Sequence, residues 1–304
     1  MAAKKGSLSI SSENIFPIIK KWVYSDHDIF ARELVSNGCD AITKLKKLDM
    51  MGEYQLPDDY KPAIKVEVNP EEKTLKFTDN GLGMTADEVE EYITQIAFSG
   101  ATQFLEKYKD KTTEDDMIGH FGLGFYSAFM VSSNVEIDTL SFASGAKPIK
   151  WQSADGMQFE ITEDGTRTER GTTIILTLAE DSEEFLDEYH LRSIIKKYCS
   201  FLPVEIYVEN TDKLEEEAKK KAEETAKKAE EGADNETSEE EPKEEIKPVP
   251  LNDTNPLWLK SPKDCTDEEY IKFYQQVFNV FDEPLFWIHL NVDYPFNLKG
   301  ILYF

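Results

Sequence analysis

Nowhere in the 304 residues is there an apolar run of the roughly 18 residues that a membrane span requires, so no segment reads as transmembrane. Cysteine is scarce. Cys39, Cys199 and Cys265 are odd in number, far apart and without a CxxC pair, which excludes a disulfide scaffold or a cysteine zinc site and fits a reducing compartment. The histidines, His27, His120, His190 and His289, make no H-x-x-x-H pair, so a zinc hydrolase has no support. No G-x-x-x-x-G-K-S/T motif occurs, hence no P-loop. Positive charge is also short: 34 Lys and Arg stand against 60 Asp and Glu, a formal net charge of -26. Phosphates repel such a chain, which argues against nucleic acid as its main partner. The opening Met-Ala-Ala-Lys-Lys-Gly has no apolar signal core, and the expected location is cytoplasmic.

What is present is a globular composition, 40% hydrophobic and 12% aromatic, with enough chain for one large domain or two smaller ones. Two motifs stand out. In Glu33-Leu-Val-Ser-Asn37-Gly-Cys-Asp40-Ala41 a carboxylate and a carboxamide lie one helical turn apart. In Asp79-Asn-Gly81-Leu-Gly83 an acid at the end of a strand runs into a glycine turn. Ser25-Asp-His-Asp28 offers N-caps for the first helix. Within it Phe30, Leu34, Ala41, Leu45 and Leu48 form an apolar stripe, and Glu33, Asn37, Asp40 and Lys44 form a polar one. At about 100° per residue the stripes lie less than a right angle apart, which predicts a polar cleft beside the core.

Ile64–Val68 and Thr74–Thr78 alternate around Asn69-Pro-Glu-Glu-Lys73, a hairpin signal. Thr85-Ala-Asp-Glu88 has the form of a capping box, while 99–117 is polar and irregular. Strands are predicted at Val135–Leu140, Gln158–Thr162, Thr172–Leu178 and Val204–Val208, with a short helix over Leu191–Phe201. The pattern predicts an α/β two-layer sandwich whose mixed, largely antiparallel sheet is covered by helices. Lys213–Lys228 is Lys/Glu/Ala-rich and helix-compatible, and Ala233–Pro250 is too polar to pack. As coil, this linker would span about 35 Å. Beyond it the chain is aromatic-rich, with strand patterns at Phe286–Leu290 and Ile301–Phe304. An apolar strand at the very end predicts a sticky edge and a second α/β domain cut short.

Chemistry concentrates at three places. Glu33 suits a general base for phosphoanhydride hydrolysis, and Asn37 offers a neutral oxygen to a magnesium ion shared with phosphates. Asp40 and Lys44 extend the stripe, as further site residues or as a plain ion pair. Asp79, costly to bury unpaired, suits an acceptor for an exocyclic amine of adenine. Gly81 and Gly83 then give the backbone access to a flat ring, with Met84 as a soft packing surface. Gly119, Gly122 and Gly124 form a G-x-x-G-x-G run entering a helix near Phe125, where backbone N–H groups bind phosphates. It is not the dinucleotide fingerprint G-x-G-x-x-G. His120, inside the run, reads as a packing or lid residue and not as a catalyst.

The order Glu33-x-x-x-Asn37-x-x-Asp40-Ala41, Asp79-x-Gly81-x-Gly83, Gly119-x-x-Gly122-x-Gly124, Gly171-Thr172 is similar to that of the GHKL ATPase superfamily. Phe30-Ala-Arg-Glu-Leu-Val-Ser-Asn37, Asp79-Asn-Gly-Leu-Gly-Met-Thr85 and Ile118-Gly-His-Phe-Gly-Leu-Gly-Phe-Tyr-Ser127 resemble the heat shock protein 90 family, bacterial HtpG type, more closely still. The charged linker and Pro256-Leu-Trp258 extend the resemblance over essentially the whole chain. It implies a Bergerat ATP-binding fold in an N-terminal domain over 1–211, a charged flexible linker over 212–250, and the beginning of a middle domain over 251–304.

The same resemblance implies an ATP-dependent chaperone acting on client polypeptides, with ATP and magnesium as cofactors. By it Glu33 activates water, Asn37 holds the metal, and Asp79 binds adenine with Thr172 joining through water. Gly122, Gly124 and Phe125 cradle the phosphates, and the segment from about 99 to 124 closes over them. A middle-domain arginine reaches the γ-phosphate and a C-terminal domain dimerises the full-length protein, so this chain is expected to be monomeric and slow. Two positions depart from the family: Tyr92 where many members carry asparagine, and Phe98 where many carry lysine. Other readings remain. A histidine-kinase-like ATPase needs a phospho-accepting helix, normally ahead of the ATP domain, where only about 25 residues precede the first helix. A DNA-directed ATPase needs a basic transducer, against this acidity. A nucleotide-blind scaffold is the plainest alternative.

Overall fold

The computed structural model describes residues 26–95, 98, 100–109, 111, 117–119, 121–213, 248–292 and 298–304. Ser25, His120, most of the Lys213–Lys228 helical pattern and nearly all of the linker lie outside them. Contacts divide the chain into two compact units, Met1–Ser200 with Val204–Asn252, and Phe201–Pro203 with Asp253–Phe304.

The first unit opens with helix α1 (Ile29–Met50). Asp28 stands at its N-cap without a side-chain bond; Asp26 instead accepts the Asp28 N–H at 3.1 Å, so the expected cap is displaced outward. Strands β1 (Ala63–Asn69) and β2 (Thr74–Asp79) follow as the anticipated antiparallel hairpin. Helix α2 (Ala86–Ile93) starts on a complete capping box between Thr85 and Glu88. Helix α3 (Gly100–Lys107) occupies part of the stretch read as irregular. Near Phe125 the chain forms a 3-10 helix, Gly124–Met130, not an α-helix. Then come β3 (Ser132–Leu140), β4 (Ile149–Ser153), β5 (Glu160–Thr162), β6 (Gly171–Leu178), α4 (Glu188–Cys199) and β7 (Glu205–Asn210).

The seven strands lie in the order β5-β4-β3-β6-β2-β1-β7. β1 and β7 run parallel; among the described residues every other pairing in this sheet is antiparallel. A mixed, mostly antiparallel sheet layered with helices is the α/β sandwich expected. Strict alternation sends Ile64, Val66, Leu75, Phe77, Val135, Ile137, Ile149, Trp151, Ile206 and Val208 to one buried face. The other face is charged, with Lys65 paired to Glu67 (3.1 Å) and Glu209 (2.9 Å). Helix α1 lies on the apolar side, where Phe30 is fully buried and packs edge-on against Phe77 and Phe185 at 6.1 and 5.0 Å between ring centres. After the linker, Leu251 donates to Ile206 O (2.7 Å), and Asn252 bonds both Val204 O and Ile206 N. These two residues thus belong with the edge strand β7.

The second unit holds α5 (Asp267–Phe278), capped by a Thr266–Glu269 box that was not anticipated, and the antiparallel pair β8 (Trp287–Val292) and β9 (Leu298–Tyr303). Phe201, Trp258 and Phe273 cluster within 6 Å of one another there.

Phe30 is the centre of the first unit's core, so Phe30→Ala should cost about 3–5 kcal/mol by leaving a cavity among aromatic rings. The expected outcome is a clear drop in that unit's urea midpoint, followed by far-ultraviolet circular dichroism.

Candidate functional site

One polar rung crosses the apolar face at the end of the sheet. Registry sets Asp79 of β2 opposite Thr172 of β6, and Thr172 opposite Thr139 of β3. All three are buried, at 8%, 7% and 0% exposure, where the pattern would otherwise demand hydrocarbon. Thr139 Oγ1 accepts the Met84 N–H at 2.9 Å and lies 3.0 Å from Thr172 Oγ1 and 3.1 Å from Gly171 O. Sequence reasoning missed Thr139; the available signal was a threonine in phase with Val135 and Ile137.

Helix α1 crosses close to this rung. A Cβ at Gly38 would lie 3.3 Å from Asp79 Cβ, and one at Gly81 would lie 2.6 Å from the Ala41 carbonyl carbon. The helix and the turn therefore meet backbone to backbone. Gly83 has φ +63°, and any side chain there would overlap the Leu140 carbonyl. Asp79 Oδ1 accepts the Gly81 N–H at 2.8 Å. Burial pushes the Asp79 carboxyl up to about 6, against the pull of the Gly81 N–H, the Arg167 charge and the Thr172 N–H.

The polar stripe of α1 faces the glycine run. Arg32 Nε and Nη2 both donate to Glu33 Oε1, Nε at 3.0 Å, a partner that the helical pattern had not suggested. The other Glu33 oxygen faces Gly124 so closely that a Cβ there would collide with it. A Cβ at Gly119 would lie 3.2 Å from Asp40 Oδ2 and 3.7 Å from Asn37 Oδ1. Asp40, 6% exposed, accepts the N–H groups of Ile118 and Gly119, each at 2.8 Å. Lys44 is held over the Phe104 ring at 6.0 Å; burial lowers its pKa, while Asp40 and Glu88 oppose the shift. Gly122 takes φ +62° against the backbone of Phe98. Phe125 turns its ring into the core against Phe129 and Trp151 and leaves only its backbone toward the run. Tyr92 and Phe98, the two departures from the family pattern, stack on each other at 6.0 Å and 9°.

The structure thus gathers Glu33, Asn37 and Asp40 with Gly119 and Gly124 on one side, and Asp79, Gly81, Gly83, Met84 and Thr172 on the other. Gly38 and Asp79 join the two halves. No group of three or more His, Cys, Asp or Glu that could hold a metal occurs among the described residues. Asn37 therefore fits a magnesium ion only where substrate phosphates supply other ligands. No helix among the described residues is long and apolar enough to cross a membrane.

Residues 29–158 match the family described as histidine kinase-, DNA gyrase B-, and HSP90-like ATPase, and residues 184–304 the family described as Hsp90 protein. The chain is 48% identical over 303 residues to the chaperone protein HtpG of Bacteroides fragilis, covering 99% of this chain and 40% of that protein. It is 45% identical over 302 residues to that of Porphyromonas gingivalis (99% and 40%) and 36% over 285 residues to that of Halorhodospira halophila (92% and 41%). The chain spans about two fifths of the length of the curated relatives it matches.

The raised pKa of Asp79 has a defined sign. The folded protein holds this proton more tightly than the unfolded chain does, so this group's contribution to stability is full below the ordinary carboxylate value of 3.8 and is lost as pH rises through about 6. Asp79→Asn, which removes the buried charge, should be more stable than the parent protein by about 2–3 kcal/mol at pH 7.5. That advantage should vanish near pH 3.5, as read from urea unfolding across the pH series.

Proposed function

This chain belongs to the heat shock protein 90 family, bacterial HtpG type, and on that premise we propose that its first unit binds ATP and hydrolyses it slowly as the nucleotide-binding part of a chaperone. The observation that carries the reading is Asp79. It is a carboxylate buried at the end of an apolar sheet, with backbone N–H groups and the Arg167 charge as its stabilising influences. A carboxylate offers about four lone-pair sites, so acceptor capacity remains for the exocyclic amine of adenine. Gly81 and Gly83 keep side chains out of the turn beside it, and Thr172 lies in the same rung.

The phosphates would lie toward the glycine run. Gly122, Gly124 and Phe125 present backbone there, with Gly124 at the start of the 3-10 helix. Glu33 would orient and deprotonate the attacking water through the oxygen that Arg32 leaves toward Gly124. Asn37 would hold magnesium, which when bound neutralises phosphate charge. Lys44, a half-buried cation on the same stripe, adds positive potential beside Asp40. Residues 251–304 contain no arginine, so the γ-phosphate contact implied by the family is not supplied from them. Client polypeptides, dimerisation of the longer protein through a further domain, and a cytoplasmic location belong to the same proposal. So does the division into an ATP-binding domain over 1–211, a linker over 212–250 and a partial middle domain from 251.

Calorimetric titration with ADP and magnesium tests the reading directly. The parent chain should bind, and Asp79→Asn should weaken binding about 10–100-fold while remaining folded. Glu33→Ala should bind as the parent does and lose hydrolysis by about 100-fold or more. A parent chain blind to nucleotide would leave the scaffold reading standing.

A further inference from the structure

We propose that Asp40 is a positioning residue that clasps the start of the glycine run to helix α1 and so holds the phosphate-facing backbone in place. This inference rests on the nucleotide reading above and reassigns Asp40 within it, from a nucleotide contact to a support for one.

Both carboxylate oxygens of Asp40 are committed to the run. Oδ1 accepts the Ile118 N–H and Oδ2 the Gly119 N–H, each at 2.8 Å, in a site where Asp40 is 6% exposed. Two charge-assisted bonds from consecutive backbone N–H groups fix the direction of the chain as well as its distance. Packing contributes little at this point: the side chains of Ile118 and Phe121 stay 44% and 79% exposed. Met117, just before the clasp, is buried.

The run then travels back along the helix. Gly119 lies at Asp40 and Gly124 at Glu33, seven residues earlier in α1, or about 10 Å along the axis. Gly124 then opens the 3-10 helix, and Gly122, in the left-handed region, turns the chain against Phe98 between the two. The N–H groups proposed for the phosphates lie at the end opposite the clasp. Losing the Asp40 anchor would leave the Glu33 end and the Phe98 contact to order the whole run. Donors that must be ordered on binding contribute less to affinity than donors already in place.

The clasp predicts a loss confined to the phosphate part of the ligand. Asp40→Ala should weaken ADP binding about tenfold and leave adenosine binding unchanged, with Asp40→Asn, which keeps one acceptor, between the two. The ADP loss should be the same with magnesium or with EDTA. In nucleotide-free protein, trypsin should cut after Lys109 or Lys111 faster in Asp40→Ala than in the parent chain. Equal losses for ADP and adenosine, a loss that requires magnesium, unchanged ADP affinity, or unchanged cleavage would each overturn the clasp. If the parent chain bound no nucleotide, the function proposed above would fall, and the cleavage rates alone would decide whether Asp40 holds the run.

Discussion

The close approach of helix α1 to the end of strand β2 is the constraint on which the rest depends. Gly81 in the turn lets its backbone meet that of Ala41 and Ile42 on the helix, and Gly38 leaves room for the Asp79 and Ile64 side chains against the helix. That contact seats Asp79 beside the polar stripe of the helix and sinks its carboxylate into the core side of the sheet. A carboxylate so placed costs stability at neutral pH, and the protein retains it. Such a cost, concentrated at one rung of an otherwise apolar sheet, is what supports the proposal of a site there.

From that contact the two halves of the site follow by different physics. The Asp79–Thr172–Thr139 rung is rigid because three paired strands and a chain of hydroxyl bonds define it. The glycine run has no strand partners among its described residues; it is placed by carboxylates on α1 and by a left-handed turn at Gly122. A ligand with a flat base and a phosphate tail would therefore meet a prebuilt surface at one end and an adjustable one at the other. The Tyr92 and Phe98 rings stack on each other, so that corner is held by packing.

Much of this was legible in the residues. The β1–β2 hairpin, the Thr85–Glu88 capping box and the helix carrying Glu33 and Asn37 depend on local periodicity and local hydrogen bonds, which a linear sequence displays. Helix α3 was not legible, because its eight residues bury only Ala101 and so show no apolar stripe. A Cβ at Gly100 would lie 3.4 Å from the Tyr92 ring, and Gln103 accepts from the Tyr92 hydroxyl, so its support is tertiary. Strand β4 escaped because five residues, Ile149–Ser153, are too few to establish a period and gain their identity from β3 and β5. The Gly124–Met130 segment has helical composition, yet it winds as a tighter 3-10 helix.

The sequence by itself determined the kinds of chemistry available: a base and an amide one turn apart, a strand-end acid, a glycine run and a charged linker. It did so because each is a local pattern, written in adjacent residues. Only the tertiary structure decided which oxygen does what. Arg32 takes one oxygen of Glu33, Asp40 spends both of its oxygens on backbone N–H groups 78 and 79 residues away, and Thr139 joins Asp79 through β6. Partners so far apart in the chain are selected by strand register and helix docking, which depend on burying the whole apolar face at once.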